Sequence, residues 1–373
     1  MLYRQCPRWL GRVGLSLFFF VFFPICANAG QLEKPIDCQI GLDCFIQNYV
    51  DLAPGPEYAD ENCGSLSYDK HKGTDFRVAF DKMQAGVEVK AAAPGVVRGM
   101  RDGMEDISIR QGGEEAIKNR ECGNGLVVLL ADGTETQYCH MRKGSLRVKA
   151  GDQVATGQVL GLVGLSGDTE FPHLHFEVRK NGQTLCPFTG NAMESGCATA
   201  EKKPLWSAKA LEEMPYISTG ALDAGFSATP PDINKLFVAQ RDKETFSAHS
   251  PELVFWAGFW GLHKDDVITL QITPPNGPAL SLPPQVIPKN QAQALVTINI
   301  KRKEGTLWPA GSYKGEAVLV RRNPNEKSLV LPLTRTLTMC SLHRLIVRKK
   351  TFTGAFIPIK ARTFRKDTRP TSE

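Results

Sequence analysis

From residue 62 to residue 197 the chain cannot travel far without meeting a turn. Its apolar residues come in short runs, at 87–91, 125–130 and 174–178, and Pro94-Gly95, Asp132-Gly133 and Asn181-Gly182 break them. A helix of ordinary length needs a 3.6-residue apolar period sustained over ten or more residues, whereas these runs alternate or stay apolar only briefly. Punctuation of that kind predicts an antiparallel β domain. Asp132-Gly133 is the best hairpin candidate, because an Asp-Gly pair suits the left-handed backbone that a two-residue turn requires. The strand after it should run over 134–140.

Beyond this domain the composition changes. Residues 201–216, with Lys209, Ala210, Leu211, Glu212 and Glu213, are helix-like, and the Gly/Pro/Asp-rich stretch 219–234 reads as a linker. Alternation then resumes: Ile268, Leu270 and Ile272 interleave with Thr269 and Gln271, and Val296, Ile298 and Ile300 with Thr297, Asn299 and Lys301. Two further candidate strands lie at 317–320 and 329–333. Several short strands with Pro/Gly turns predict a small β-sandwich. The expected class is therefore mainly β, with an antiparallel β-sheet domain at 62–197 followed by a β-sandwich-like accessory domain at 235–339. A Cys-containing lead-in at 30–61 precedes the first domain, and a helix-like segment and linker at 198–234 joins the two.

The two ends read differently. Arg4, Arg8 and Arg12 precede an apolar run at 13–25, and Ala27-Asn28-Ala29 follows with small residues. A basic start, an apolar core and an A-x-A exit describe a secretory signal at 1–29. The apolar run is shorter than the roughly 20 residues of a spanning helix. No stable membrane anchor is expected after signal removal, and the chain is expected in the periplasm or at the cell wall. Eight of the ten cysteines follow residue 29, an even set that suggests disulfides in an exported chain. Cys122 with Cys139 and Cys186 with Cys197 are the local candidates. The formal charge of +6 does not argue for nucleic acid. Nine Lys/Arg against Asp367 and Glu373 charge a basic tail at 340–373, three Arg charge the signal, and the rest of the chain comes to −4.

Four of the seven histidines, His71, His140, His173 and His175, fall in the first β domain. On a strand, His173 and His175 point to one face while Leu174 and Phe176 point to the other. Two neighbouring imidazoles are costly to bury unless something uses their lone pairs, and a metal ion does so. His71-Lys72-Gly73-Thr74-Asp75 adds an imidazole and a carboxylate close in sequence. Two His and an Asp form a nitrogen/oxygen set that zinc accepts, and three protein ligands leave a fourth position open for catalysis. His140, in Tyr138-Cys139-His140-Met141, has by itself no stronger claim than a structural histidine.

Taken in order, His71-x-Gly73-x-Asp75, Tyr138-x-His140-Met141 and His173-x-His175 resemble the motifs of the LytM/lysostaphin-type zinc endopeptidases. The glycine-rich 151–161 and the approach from Ser166-Gly167 to Pro172-His173 are similar to other parts of that family. The resemblance covers roughly residues 68–182 and is silent on the accessory domain. It implies one zinc ion on His71, Asp75 and His175, with His140 and His173 as the catalytic pair beside it. It further implies peptidoglycan as partner and hydrolysis of peptide bonds in stem peptides or cross-bridges. Two other readings share the scaffold: a regulatory protein that recruits other wall hydrolases, and a zinc peptidase of secreted proteins. Relatives of the regulatory kind usually lack metal ligands, whereas all five positions are filled here. Glu177 is a candidate supporting group. One departure is the length of 101–122, expected either to border the substrate groove or to form a solvent loop held by Cys122.

Overall fold

The computed structural model describes residues 31–113, 117–198, 202–236, 246–322 and 328–339. The signal segment and the basic tail read from the sequence lie outside the described residues. The first half contributes β1 (Cys44–Asn48), β2 (Thr74–Val78), α1 (Phe80–Ala85), β3 (Glu88–Lys90), β4 (Gly95–Arg101) and α2 (Ile109–Gly112). It continues with β5 (Asn124–Leu130), β6 (Thr134–Met141), β7 (Gln153–Val154), β8 (Val159–Leu162), β9 (His173–Lys180) and β10 (Gln183–Leu185). Eight of these strands form one sheet in the order β1-β2-β9-β6-β5-β4-β7, with β10 paired to β9, while β3 and β8 make a separate ribbon. Neighbouring strands run antiparallel, as expected from the short punctuated segments.

Alternation decides what each face of the sheet does. Phe76, Tyr138, Leu174, Phe176 and Val178 project inward and are fully buried. Each such burial contributes about 1.5–3 kcal/mol. The intervening residues share the other face: Asp75 lies opposite His175 across β2 and β9, and His175 opposite Cys139 across β9 and β6. The core that sequence alternation anticipates thus leaves the chemistry-bearing residues together on the second face.

The hairpin between β5 and β6 forms at Asp132-Gly133, but with only Gly133 in the left-handed region, at φ 82°. Its loop has three residues rather than two, so one left-handed position is enough. Asp132 instead accepts a hydrogen bond from the Thr134 amide at 3.0 Å. The pair with both residues left-handed is Asn181-Gly182, at φ 52° and 79°, between β9 and β10.

Disulfides join Cys38 to Cys44, Cys63 to Cys197 and Cys122 to Cys139. The last pair matches the sequence expectation; Cys186 with Cys197 does not. Cys186 is a buried free thiol, while Cys197 has its Cα 5.2 Å from that of Cys63. Bridging follows spatial approach rather than sequence proximity, and here the chain folds Cys186 into the core.

The helix-like segment forms α3 (Ala208–Glu213), started by Ser207, whose side chain accepts from the Ala210 amide at 3.0 Å. The stretch read as a linker instead contains β11 (Gly220–Ser227) and α4 (Ile233–Leu236). Glycine there marks close packing rather than flexibility, because a Cβ at Gly225 would come within 2.5 Å of the Trp256 ring. The remaining strands are β12 (Glu252–Leu262), β13 (Val267–Thr273), β14 (Leu280–Ser281), β15 (Gln285–Val286), β16 (Gln291–Lys301), β17 (Gly311–Arg321) and β18 (Leu329–Met339). They build two sheets, β11-β12-β16 and β14-β13-β17-β18, with β15 on β13. Phe255, Phe259, Leu270 and Leu319 fill a second core, separate from that of the first half. This is the sandwich-like arrangement that the alternating strands predict. The second half also reaches into the first core, where Trp260 stacks on Phe45 with centroids 4.3 Å apart. Among the described residues no helix is long and apolar enough to cross a membrane.

Candidate metal centre

The β2/β9 register brings the centre together. Asp75 faces His175 and Arg77 faces His173 across the ladder. His71 enters from the turn before β2, where its amide donates to the Tyr68 carbonyl at 3.0 Å. His140 ends β6 in the left-handed region at φ 60°, a conformation uncommon for a residue with a Cβ. Its amide donates to the Cys122 carbonyl at 2.8 Å and its carbonyl accepts from Gly164 at 3.0 Å. With the Cys122–Cys139 bridge alongside, those bonds hold a backbone that would otherwise relax.

All five residues singled out in the sequence converge. His71 Nε2 lies 3.1 Å from Asp75 Oδ2 and 3.3 Å from His175 Nδ1, and His175 Nδ1 lies 2.8 Å from Asp75 Oδ1. His173 Nε2 is 3.5 Å from Asp75 Oδ1, and the rings of His140 and His173 stand 4.5 Å apart. Two overlapping sets of donor atoms are close enough to hold one ion: His71, Asp75 and His175, or His140, His173 and His175. Zinc bonds of about 2.0–2.1 Å in a tetrahedron separate neighbouring ligands by about 3.3 Å. The separations in the carboxylate-containing set, 2.8–3.3 Å, fit that requirement with little adjustment.

Backbone carbonyls choose the imidazole tautomers. His71 Nδ1 donates to the Tyr49 carbonyl at 2.7 Å, and His140 Nδ1 to that of Ser166 at 2.8 Å. His173 Nδ1 donates to the Phe171 carbonyl at 2.9 Å. A carbonyl only accepts, so each Nδ1 carries the proton and each Nε2 keeps a lone pair for the centre. His175 is turned the other way, with Nδ1 inward. Its ring fits because position 73 is glycine; a Cβ there would come within 2.6 Å of His175 Cε1 and Nε2.

The charges of the cluster pull its members apart. Burial works against a charged His71, yet the Asp75 charge and hydrogen bond, with the Tyr49 carbonyl, carry it above its ordinary value. Burial, reinforced by His173 and His175, holds His140 well below the usual imidazole range. Burial also lowers His173, although Asp75 opposes that shift. Asp75, which burial alone would raise, is held well below the usual carboxylate range by His71 and His173. The arrangement favours one ionised carboxylate beside neutral His140 and His173.

Several supporting groups were not legible in the sequence. Asn48 Nδ2 donates to Asp75 Oδ2 at 2.9 Å, fixing the carboxylate from β1. Thr169 Oγ1 donates to the Phe171 carbonyl at 2.7 Å and lies 2.9 Å from His173 Nδ1. Glu177 does not touch the five residues: its carboxylate accepts from Thr184 Oγ1 at 2.8 Å and from Arg179 at 2.7 Å. The long connection 101–122 packs against the segment that supplies these carbonyls. The Ile109 amide donates to the Thr169 carbonyl at 2.9 Å, the Leu165 amide to Asp106 at 2.8 Å, and Arg110 pairs with Glu170 at 2.7 Å. It is therefore anchored along the wall of the centre as well as tied down at Cys122.

Comparison with known proteins agrees with this geometry. The description Peptidase family M23 matches residues 69–187. The DD-carboxypeptidase/endopeptidase Mpg of Neisseria meningitidis is 34% identical over 106 residues, covering 28% of this chain and 22% of that protein. The peptidoglycan DD-endopeptidase ShyC of Vibrio cholerae is 28% identical over 144 residues, 39% of this chain and 28% of its own length. The murein hydrolase activator EnvC of Escherichia coli is 36% identical over 93 residues, 25% of this chain and 22% of EnvC. The chain spans between 22% and 28% of the length of these relatives. Residues 69–187 of this chain thus match Peptidase family M23, and the LytM/lysostaphin-like motifs read from the sequence fall within them.

Proposed function

We propose that the chain is an exported zinc metalloendopeptidase that hydrolyses peptide bonds in peptidoglycan stem peptides or cross-bridges. The observation that carries this reading is the convergence of His71 Nε2, His175 Nδ1 and the Asp75 carboxylate, whose two oxygens lie 3.1 Å and 2.8 Å from the imidazole nitrogens, themselves 3.3 Å apart. These three residues would hold one zinc ion, as a two-histidine, one-carboxylate set suits that metal. When bound, zinc supplies a Lewis acid for the scissile carbonyl and lowers the pKa of water toward about 7. His140 and His173 present Nε2 lone pairs whose tautomer the Ser166 and Phe171 carbonyls fix. Either takes up the proton released as water attacks and returns it from Nε2 to the departing amine. Three disulfides among the described residues support an oxidising compartment, the periplasm or the cell wall.

The likeness to a murein hydrolase activator supports a second reading, a binding protein that stimulates other wall hydrolases. Digestion of purified peptidoglycan by the zinc-loaded protein separates the two, with His175→Ala as control. The peptidase reading expects new amino termini from the wild type, and loss of both zinc and product in the variant. A folded, zinc-loaded protein that releases no peptide alone, but accelerates an added hydrolase, would establish the activator instead. Cleavage confined to folded secreted proteins would exchange the substrate while keeping the chemistry.

A further inference from the structure

A buried arginine connects the second β region to the wall of the centre. Arg77 lies opposite His173 in the β2/β9 ladder and is 3% exposed. Burying a guanidinium is costly unless its donors are met, and two amide oxygens meet it. Its Nη1 donates to Gln47 Oε1 at 2.5 Å and to Gln293 Oε1 at 2.9 Å. Gln47 comes from β1, but Gln293 comes from β16 in the second half, directly opposite Trp260. The Cζ of the same guanidinium lies over the Phe171 ring, 4.1 Å from its centroid. Cation–π contact of this kind is worth about 2 kcal/mol or more when desolvated.

Phe171 in turn governs His173. Its ring centroid is 5.1 Å from that of His173, and its carbonyl accepts the His173 Nδ1 proton at 2.9 Å. The path from β16 to the imidazole therefore runs Gln293, Arg77, Phe171, His173, each step a contact between buried or half-buried groups. We propose that the second β region is a positioning element for the centre, with Gln293 and Arg77 setting the orientation of His173 through Phe171. The inference rests on the proton-transfer role proposed for His173. It makes Arg77 and Gln293 positioning residues, because they act on His173 through Phe171. A lysine would not replace Arg77, since an ammonium placed where Nη1 meets the two amide oxygens has no guanidinium carbon to set over Phe171.

The test uses Gln293→Met, which keeps length and removes the acceptor, and Gln293→Glu, which restores one. With one zinc per chain in every protein, Gln293→Met should lower kcat on purified peptidoglycan fragments about 5- to 10-fold while KM and melting temperature stay near wild type. Gln293→Glu should return kcat to near the wild-type value. In parallel, histidine-labelled protein should show the His173 Nδ1–H resonance moving in Gln293→Met and the His140 resonance in place. Wild-type kcat together with an unmoved His173 resonance in Gln293→Met overturns the proposal. So does a loss of kcat that Gln293→Glu does not restore. If the zinc-loaded wild type cleaves no peptidoglycan, the peptidase reading fails, and the His173 resonance alone still decides whether β16 positions this ring.

Discussion

The two β regions of this molecule obey the alternation rule to different degrees. In β13 every second residue is buried and the others are half exposed, as a sheet wetted on one side requires. In β2 all five residues are buried, among them Thr74, Asp75 and Arg77, and in β9 His173 and Glu177 are buried as well. A face roofed by loops must give every polar group a partner or bear the cost of desolvating it. The first region meets that demand at its centre, where carbonyls and a carboxylate meet the imidazoles and Asn48 meets the carboxylate, while Thr74 Oγ1 is left buried without a hydrogen-bond partner. The second region spends its sequence on packing, as where Phe255 lies over Gly315 with no room for a Cβ between them. The contrast teaches that buried polar residues on a strand mark a working face, since β12 is buried on both faces too but with apolar residues and glycine alone.

The sharpest way to break that contrast is to compare histidines from the two regions. Burial lowers both His140 and His263 below the usual imidazole value. Only His140 belongs to a cluster; His263 Nε2 is buried without a protein partner. His140→Ala should lower kcat about 10²–10⁴-fold with zinc retained, and His263→Ala should leave kcat and zinc content as they are. Steady-state hydrolysis with elemental analysis reads both, and near-normal turnover by His140→Ala would remove that residue from the mechanism. Next in size is Phe255→Ala, which empties a fully buried site in the second core. It should cost about 3–5 kcal/mol of stability, seen as a lower melting temperature, while the folded fraction keeps its zinc. Zinc lost from still-folded Phe255→Ala would mean the regions do not divide packing from metal binding in this way.

How much of this was legible in the sequence follows the same division. Period-two patterning located β9, β13 and β16, an apolar run located β5 and the Asp132-Gly133 turn located β6, because each signal lies within a few consecutive residues. The H-x-H pair declared itself for the same reason, since positions i and i+2 share a face. Asn48 did not, because its approach to Asp75 depends on β1 pairing with β2 across an intervening stretch with no local signature. The carbonyls of Tyr49, Ser166 and Phe171 were invisible in principle, as every residue carries one. Residues 219–234 misled because glycine usually signals a loop, whereas Gly220 and Gly225 lie beneath Trp260 and Trp256. Cys186 misled because nearness in sequence stood in for nearness in space.

Asn48→Ala sharpens the comparison at an intermediate scale. Removing the amide that donates to Asp75 Oδ2 at 2.9 Å leaves the carboxylate less firmly aimed. Loss of such an outer hydrogen bond typically weakens metal affinity by about 10–100-fold. Competition against a chelator measures it, and unchanged affinity would mean that the β2/β9 ladder alone orients Asp75.

The smallest effect is a pH dependence to which the first region contributes His140, His173 and His71, and the second region only the lowered His263. In metal-free protein His140 and His173 are held below their ordinary value, so between about pH 6.5 and their folded values the unfolded chain binds protons that the folded chain refuses. That disfavours folding as pH falls. His71, raised in the folded state, acts in the opposite sense: its contribution is present below about pH 6.5 and is lost as pH rises through its folded value. Below about pH 6.5 His71 is protonated in both states and adds no slope, so the two lowered groups leave an uptake of up to about two protons on unfolding, or at most about 2.7 kcal/mol per pH unit. The depressed Asp75 adds its own loss only further down, as pH falls below about 3.9 and through its folded value. Chelator-treated protein unfolded with urea between pH 7 and pH 5 should therefore lose stability toward acid, and replacing His140 with Gln should flatten the slope. Stability rising toward pH 5 would mean that the folded chain does not hold the pair below the ordinary imidazole value, because His71 adds no slope below about pH 6.5. In that case His140 and His173 would not be the neutral, proton-accepting groups that distinguish this face of the sheet from the packing surfaces of the second region.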